Sequence, residues 1–457
     1  MKKAREKAVK VVRRIVSPIE DFLHTESSSG IVLIINALIA LILANSPLHH
    51  WYHNLIHFPI SIGFGSLVIE KGLQHWVNDG LMVIFFFVVG LEIKRELVIG
   101  ELASPKKAAL PMFAALGGMI FPAIFYFTLN PSGITEPGWG IPMATDIAFA
   151  VGILALMSKR TPFALKIFLL ALAIVDDLGA VLVIAFFYTE QIARSYLGLA
   201  AVGFAIITIL KYAGVRKVWV YSIFGLAVWF FILKSGIHAT IAGVILGLMT
   251  PIKRLFPKQV LPEKFRSVAQ EVATGIEGNG GVQLDQYTLQ KIDELHMITV
   301  EASSPLDRLI HKLHPWMSFF IMPIFALVNA GVHIENIGIE QFFGHSVSLG
   351  IILGLVLGKP IGVVLFSWLS VKFRLSDLPK GVHWGHMLAV GCLAGIGFTM
   401  ALFVSNLALK TPELEMFSKL GILVASCISG ILGATLLYIM GEASHNQAND
   451  DPLSTQE

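Results

Sequence analysis

The sequence predicts an all-α, polytopic membrane protein with about twelve transmembrane helices. Three observations carry that prediction. Of the 457 residues, 55% are hydrophobic and only 14% are Asp, Glu, Lys or Arg, against about 25% charge in a typical soluble domain. Mean hydropathy is +0.73. The charges crowd into the N-terminus, residues 252–311 and short gaps between apolar runs, and a run of roughly 20 residues at about 1.5 Å each crosses a hydrocarbon core. The lipid bilayer is therefore an obligatory partner. Nucleic acid is not an expected one, because the net charge of +3 is dispersed over loops and no basic tract with interleaved aromatics follows the first fourteen residues. Cys392 and Cys427 both fall in apolar runs and are expected as buried thiols, too few for a structural zinc or iron–sulfur site.

Residues 1–28 begin MKKAREKAVKVVRR, with no small-residue cleavage site after the basic stretch. They read either as a retained cytoplasmic amphipathic helix or as a solubilising basic tail. Twelve runs follow between 29 and 440: 29–45, 77–98, 107–129, 138–157, 163–188, 194–212, 218–232, 236–250, 308–330, 348–371, 386–409 and 416–440. The seventh and eighth are short and separated only by LKSG, so eleven spans are possible if they form one kinked element. Loop charge favours twelve. Lys94 and Arg95 close the second run and Lys106 and Lys107 follow it, while Lys159 and Arg160 follow the fourth. Lys211, Arg216 and Lys217 follow the sixth, Lys253 and Arg254 the eighth, and Lys372, Arg374 and Lys380 the tenth. NPSGITEPG and GVHIENIGIEQFFGHS, in alternate gaps, contain neither Lys nor Arg. The positive-inside rule then places both termini, including the 441–457 tail, in the cytoplasm.

Two connections are longer. Residues 46–76 include HFPISIGFGSLVIEKG, which suits an external β-hairpin or a plain loop. The polar 252–307 insertion falls on the cytoplasmic side. There EKFRSVAQEVATGI and LQKIDELHMI suit short helices flanking a GIEGNGG turn, and a weakly ordered insertion is the alternative.

A few charges remain inside the runs. Asp146 lies 11 residues from the cytoplasmic end of the fourth, Asp176 13 from that of the fifth, and Lys359 12 from that of the tenth. At about 1.5 Å per residue all three sit about 17 to 20 Å in, with Asp177 beside Asp176. Facing lipid would cost several kcal/mol for each, so they are expected to face a cavity or one another. One lysine neutralises one aspartate, which leaves two carboxyls without a structural explanation. A hard carboxylate site suits exchange of a proton for an alkali cation better than transition-metal transport.

Irregular backbone is expected at compatible depth. Gly138, Gly140 and Pro142 precede Thr145 and Asp146 in the fourth run, and Gly391, Gly395 and Gly397 interrupt the eleventh. Placed in opposite halves of the chain, the two segments match the broken helices of an inverted-repeat transporter, crossing near mid-membrane with Asp146 and Lys359 offsetting the exposed helix ends.

The chain resembles the bacterial NhaA-type sodium/proton antiporter family from about residue 18 to 440. The resemblance rests on NDGLMVIFFFVVGLEIKREL at 78–97, ATDIAFAVGIL at 144–154, LALAIVDDLGAV at 170–181, LKSGIHATIAGV at 233–244, LHPW at 313–316, GKP at 358–360 and GIGFTM at 395–400. It implies an electrogenic, pH-regulated antiporter of the bacterial inner membrane. Such a protein would export Na+, and Li+, against external protons by alternating access, with ions as substrates and no cofactor. Asp176 and Asp177 would bind the transported Na+, with Asp177 as the more direct ligand and Asp176 as partner of Lys359. Asp146 and Thr145 would line the crossing. Asp79 would mark the funnel on the second span, and Glu92, Arg95 and Glu96 a pH-responsive entrance. His238, His311 and His314 occupy histidine positions tied to that response, although packing explains His238 equally well. A homodimer through residues 46–76 is also implied. One departure stands at the entrance: Asp307 and Ile310 replace a lysine and a glutamate upstream of LHPW, which puts the pH threshold in question. Competing readings are a cation/proton symporter or channel, and a membrane sensor that recruits a partner through the insertion. No GxxxxGK[ST] loop is present to drive a P-loop pump.

Overall fold

The computed structural model describes residues 26–64, 67–158, 160–189, 192–215, 218–252, 261–278, 285–334 and 338–449. Residues 1–25, Lys159, Arg216, Lys217, Lys253, Arg254, the last three residues of GIEGNGG and the last eight residues of the chain lie outside that set. Twelve apolar helical segments follow in the predicted order. Span 1 is Glu26–Ala44, span 2 Leu73–Val98, span 3 Pro105–Leu129, span 4 Gly133–Leu156, span 5 Phe163–Phe187 and span 6 Arg194–Tyr212. Span 7 is Val218–Ser235, span 8 Thr240–Met249, span 9 Pro305–Asn329, span 10 Ser346–Lys372, span 11 Trp384–Ala408 and span 12 Pro412–Asn449. By length and composition, six are long and apolar enough to cross a membrane as single helices: spans 3, 4, 5, 6, 10 and 12.

The others are short or interrupted for identifiable reasons. Spans 7 and 8 are separate helices because Gly236 takes a φ of +84° between them, a conformation that side chains disfavour. Spans 2, 9 and 10 each contain a five-residue π turn, at Val77–Leu81, Met317–Ile321 and Gly354–Gly358. Span 11 bends by 47° between Trp384–Ala394 and Phe398–Ala408. Span 4 changes from a 3-10 helix, Gly133–Met143, to an α-helix, Ile147–Leu156, through extended residues at Ala144 and Asp146. Its irregular half begins five residues earlier than the sequence suggests, since the Pro137 and Pro142 rings disfavour an α-helix but leave a tighter coil possible.

Residues 46–76 contain a short helix, His49–Ile56, then the antiparallel strands β1, Pro59–Phe64, and β2, Leu67–Gly72. The hairpin alternative is the one the fold adopts. The insertion forms two mutually packed helices, Leu261–Gly278 and Gln286–Glu301, the second capped by Asp285 accepting the Thr288 amide. Ion pairs Lys291–Glu271, 2.9 Å, and Lys291–Glu294, 3.1 Å, join and brace them. Cys392 is buried as expected, whereas Cys427 is exposed on span 12.

Packing sorts the spans into two groups. Spans 3, 4, 5, 10, 11 and 12 pack mainly on one another, as do spans 1, 2, 6, 7, 8 and 9, and the two groups share a seam where span 1 packs on the Ile147–Leu156 half of span 4 and span 2 meets span 5. Within the first group, spans 3–5 and 10–12 repeat a straight, broken, straight pattern seven crossings apart, and an odd offset inverts the second triplet. The triplets meet tightly where Gly117 of span 3 faces Gly362 of span 10: a Cβ on Gly362 would collide with the Gly117 carbonyl oxygen. Gly362→Ala is therefore expected to destabilise the fold by about 1–3 kcal/mol. Thermal melting in detergent checks this, with Gly198→Ala, which meets nothing within 4 Å, as the neutral comparison.

Three loop-proximal lysines are tied down at helix ends. Lys94 Nζ donates to the Leu248 and Thr250 carbonyls at 2.6 and 2.5 Å, and Lys211 Nζ to the Met249 carbonyl at 2.9 Å. Two spans thereby cap the carbonyl end of span 8, where a cation also meets the negative end of the helix dipole. Lys106 pairs with Asp377 at 3.3 Å across the starts of spans 3 and 11.

Candidate ion-exchange site

The two breaks cross and are bonded to each other. The Asp146 amide donates to the Ile396 carbonyl at 2.7 Å. Breaking a helix leaves bare N–H groups at the start of each second half, and Asp146 serves both. Its Oδ1 accepts the Phe149 amide at 3.1 Å, capping Ile147–Leu156, while its Oδ2 accepts the Thr399 amide at 3.1 Å and also the Thr399 hydroxyl at the start of Phe398–Ala408. One carboxylate thus neutralises two positive helix ends. At the opposite pole, Lys359 Nζ donates to the carbonyl of Met143, the last residue of the 3-10 half. The expectation that Asp146 and Lys359 offset exposed helix ends is met atom by atom.

Asp176 and Asp177 arrive on span 5, a continuous helix between these breaks. Asp146, Asp176, Asp177, Lys359 and Thr145 are each no more than 1% exposed. Lys359 Nζ lies 2.8 Å from Asp176 Oδ2. Thr145 Oγ1 is 2.8 Å from the same oxygen and 2.9 Å from the Ala394 carbonyl oxygen. Its single proton can serve either acceptor, so the hydroxyl can donate to an ionised Asp176 or accept from a protonated one. Asp176 Oδ1 and both oxygens of Asp177 are buried without a hydrogen-bond partner among the described residues. Three buried carboxyl oxygens without protein donors are costly to keep charged, and hard oxygen atoms of this kind are chemically suited to a proton or an alkali cation.

The other predicted residues fall into separate groups. Asp79 Oδ1 lies 3.8 Å from His238 Nε2, and His238 Nδ1 is 2.9 Å from Thr240 Oγ1. This supplies the partner for His238 that sequence could not identify. Glu92, Arg95 and Glu96 form an electrostatic group at the basic end of span 2. Arg95 Nε is 3.9 Å from Glu96 Oε1, and Glu96 Oε2 accepts the Glu101 amide at 3.0 Å. Glu92 is also within electrostatic reach of Asp177. His311 and His314 are exposed on Pro305–Trp316, a helix that packs against span 2. The departures nearby have structural roles. Asp307 Oδ2 accepts from Ser304 Oγ at 2.7 Å while its amide donates back at 3.1 Å, and Ile310 packs with Leu91 and Leu306.

Sequence reasoning missed Thr399 and Ser426. Thr399 lies inside the GIGFTM motif, in the first turn after the break, where its N–H has no helical partner. Ser426 Oγ accepts the Phe398 amide at 3.1 Å from span 12, and nothing local in the sequence marks it.

The family model described as Na+/H+ antiporter 1 matches residues 20–437. A Na(+)/H(+) antiporter NhaA from Oleidesulfovibrio alaskensis is 47% identical over 429 residues, covering 94% of this chain and 95% of that protein. Na(+)/H(+) antiporter NhaA 2 from Sorangium cellulosum is 48% identical over 428 residues, with 93% and 90% covered. An Escherichia coli Na(+)/H(+) antiporter NhaA is 44% identical over 422 residues, with 92% and 97% covered. The chain belongs to the Na+/H+ antiporter 1 family and is a multi-pass membrane transporter, not an enzyme.

Proposed function

We propose that this protein exchanges Na+ for protons, with Asp177 as the principal ion-binding carboxyl and Asp176, Lys359, Thr145 and Asp146 as its supporting set. The observation that carries the reading is the contrast between adjacent aspartates. Asp176 is held by Lys359 and Thr145, whereas neither oxygen of Asp177 has a hydrogen-bond partner among the described residues. A dehydrated carboxylate without donors is costly, and a proton and Na+ are competing ways to neutralise it. Binding of one therefore requires release of the other. Reorientation of the span 3–5 and 10–12 group against its neighbours exposes the site alternately to the two sides.

Two carboxyls and an ammonium give more than one place for a proton, which supports electrogenic exchange with more protons than Na+ per cycle. Li+ is a further substrate by the same oxygen chemistry, and no cofactor is needed because the ions are the substrates. The basic loops at one end support a bacterial inner-membrane topology with both termini and the 252–307 insertion in the cytoplasm. The nearness of Glu92 to Asp177 supports pH regulation through Glu92, Arg95, Glu96, His311 and His314, with Asp79 and His238 acting on the opposite side. The hairpin offers free strand edges, which supports a homodimer through residues 46–76.

Acid-loaded proteoliposomes test the exchange. Na+ added outside is expected to raise internal pH. A Na+-independent current would instead indicate a channel, internal acidification a symporter, and no coupled flux a sensor.

A further inference from the structure

Four amide side chains from three spans meet on the side of the site away from the basic loops. Asn329, 0% exposed at the end of span 9, accepts at Oδ1 from Asn406 Nδ2 at 2.7 Å, from Gln74 Nε2 at 3.2 Å and from Asn78 Nδ2 at 3.3 Å. Its Nδ2 donates to Asn78 Oδ1 at 2.9 Å and to the Phe325 carbonyl at 3.0 Å. Gln74, Asn78 and Asn329 belong to the span 1, 2, 6–9 group. Asn406, on span 11, belongs to the other. The shortest of the amide bonds therefore crosses between the two groups that must separate for the site to open on this side.

An aromatic layer lies directly beneath, nearer the breaks. The ring of Phe403 lies 5.5 Å from that of Phe86, 6.2 Å from Phe325 and 5.3 Å from His238, and all three phenylalanines are 0% exposed. Each span pairs an amide with an aromatic at helical spacing: Asn406 with Phe403, Asn329 with Phe325, and Asn78 with Phe86 across the π turn Val77–Leu81. Packing alone accounts for the aromatic layer. It does not account for a polar storey repeated above it on three separate spans.

We propose that the Asn406–Asn329 hydrogen bond is a latch that closes the outer side of the transporter over Phe403, and that its breaking is a step of the outward-facing half of the cycle. This rests on the exchange reading above. A neutral amide bond has a small net strength, suited to breaking and reforming in every turnover where a desolvated ion pair would lock. Asn406 Oδ1, buried without a hydrogen-bond partner among the described residues, favours release further, because opening gives that oxygen access to water. Closed and open states are thereby held near balance.

Hydrogen exchange by mass spectrometry on the full-length protein in nanodiscs tests the latch, because amide exchange follows the open population. Asn406→Leu removes the donor and keeps the bulk. It is expected to speed exchange roughly two- to tenfold in residues 77–86 and 398–408 while leaving 147–156 and 384–394 unchanged, and Asn406→Gln, which retains an amide donor, should restore part of the protection. Unchanged exchange in Asn406→Leu, or a uniform rise across all spans with a lowered melting temperature, would overturn the proposal. The readout does not depend on ion flux, so a local exchange shift combined with no Na+-coupled proton movement would leave the latch standing and remove the exchange reading.

Discussion

Asp177→Asn is expected to reduce Na+-driven proton release from acid-loaded vesicles to that of protein-free controls, with the melting temperature essentially retained. The substitution keeps the shape of the side chain and removes the negative charge that a proton or Na+ must neutralise. The Asp177 side chain makes no hydrogen bond with the described residues, so no structural side-chain bond is lost. The stability change should stay within about 1 kcal/mol. Most buried aspartates would behave otherwise: Asp146, which caps two helix halves, would lose structure and function together. Near-wild-type coupling in Asp177→Asn would remove this residue from the ion path. A folded protein without exchange is the outcome that separates an ion ligand from a structural carboxylate.

Lys359→Ala is expected to act on stability as strongly as on transport. Its ammonium is the charged partner of Asp176 at 2.8 Å and a donor to the Met143 carbonyl, with no measurable exposure of the residue. Removing one member of a buried pair leaves an uncompensated charge, at a cost of about 3–5 kcal/mol, and here it also strips a donor from a helix end. Thermal melting should show a large loss. If the charge is responsible, Asp176→Asn combined with Lys359→Met should be more stable than Lys359→Met alone, since the double variant carries no orphan charge. Surviving exchange in either variant should respond less to membrane potential if the lysine carries one of the protons. A melting curve unchanged by Lys359→Ala would contradict the buried pair.

The sequence was most informative where the bilayer restricts the options. Counting residues from the loop lysines placed Asp146, Asp176 and Lys359 at one depth, and Lys359 pairs with Asp176 while Thr145, next to Asp146, shares the same carboxylate oxygen. Glycine and proline marked both breaks, because irregular backbone at that depth must line a site or be bonded to another chain segment. Pair identity was less legible. That Asp146 belongs with Thr399, 253 residues away, or Asp79 with His238, depends on which way each helix faces, and an apolar run surrounded by lipid and protein has little amphipathic pattern to reveal it. The π turns were invisible for a related reason: a wide turn uses the same apolar residues as an α turn. The insertion, left open between two short helices and a weakly ordered segment, forms the two helices, whose mixed polar and apolar residues give an amphipathic signal the buried spans largely lack.

The π turn Gly354–Gly358 ends immediately before Lys359. A wide turn accommodates roughly one extra residue, so everything after it is out of phase with the first half of span 10 by about 100°. The direction of the ammonium is thus a matter of phase as well as of the GKP motif: the same three residues on an uninterrupted helix would send the lysine to a different neighbour. Span 10 behaves as two helices sharing an axis, the first keyed to span 12 and the second to span 3 and the Asp176 carboxyl, with the wide turn setting the angle between them.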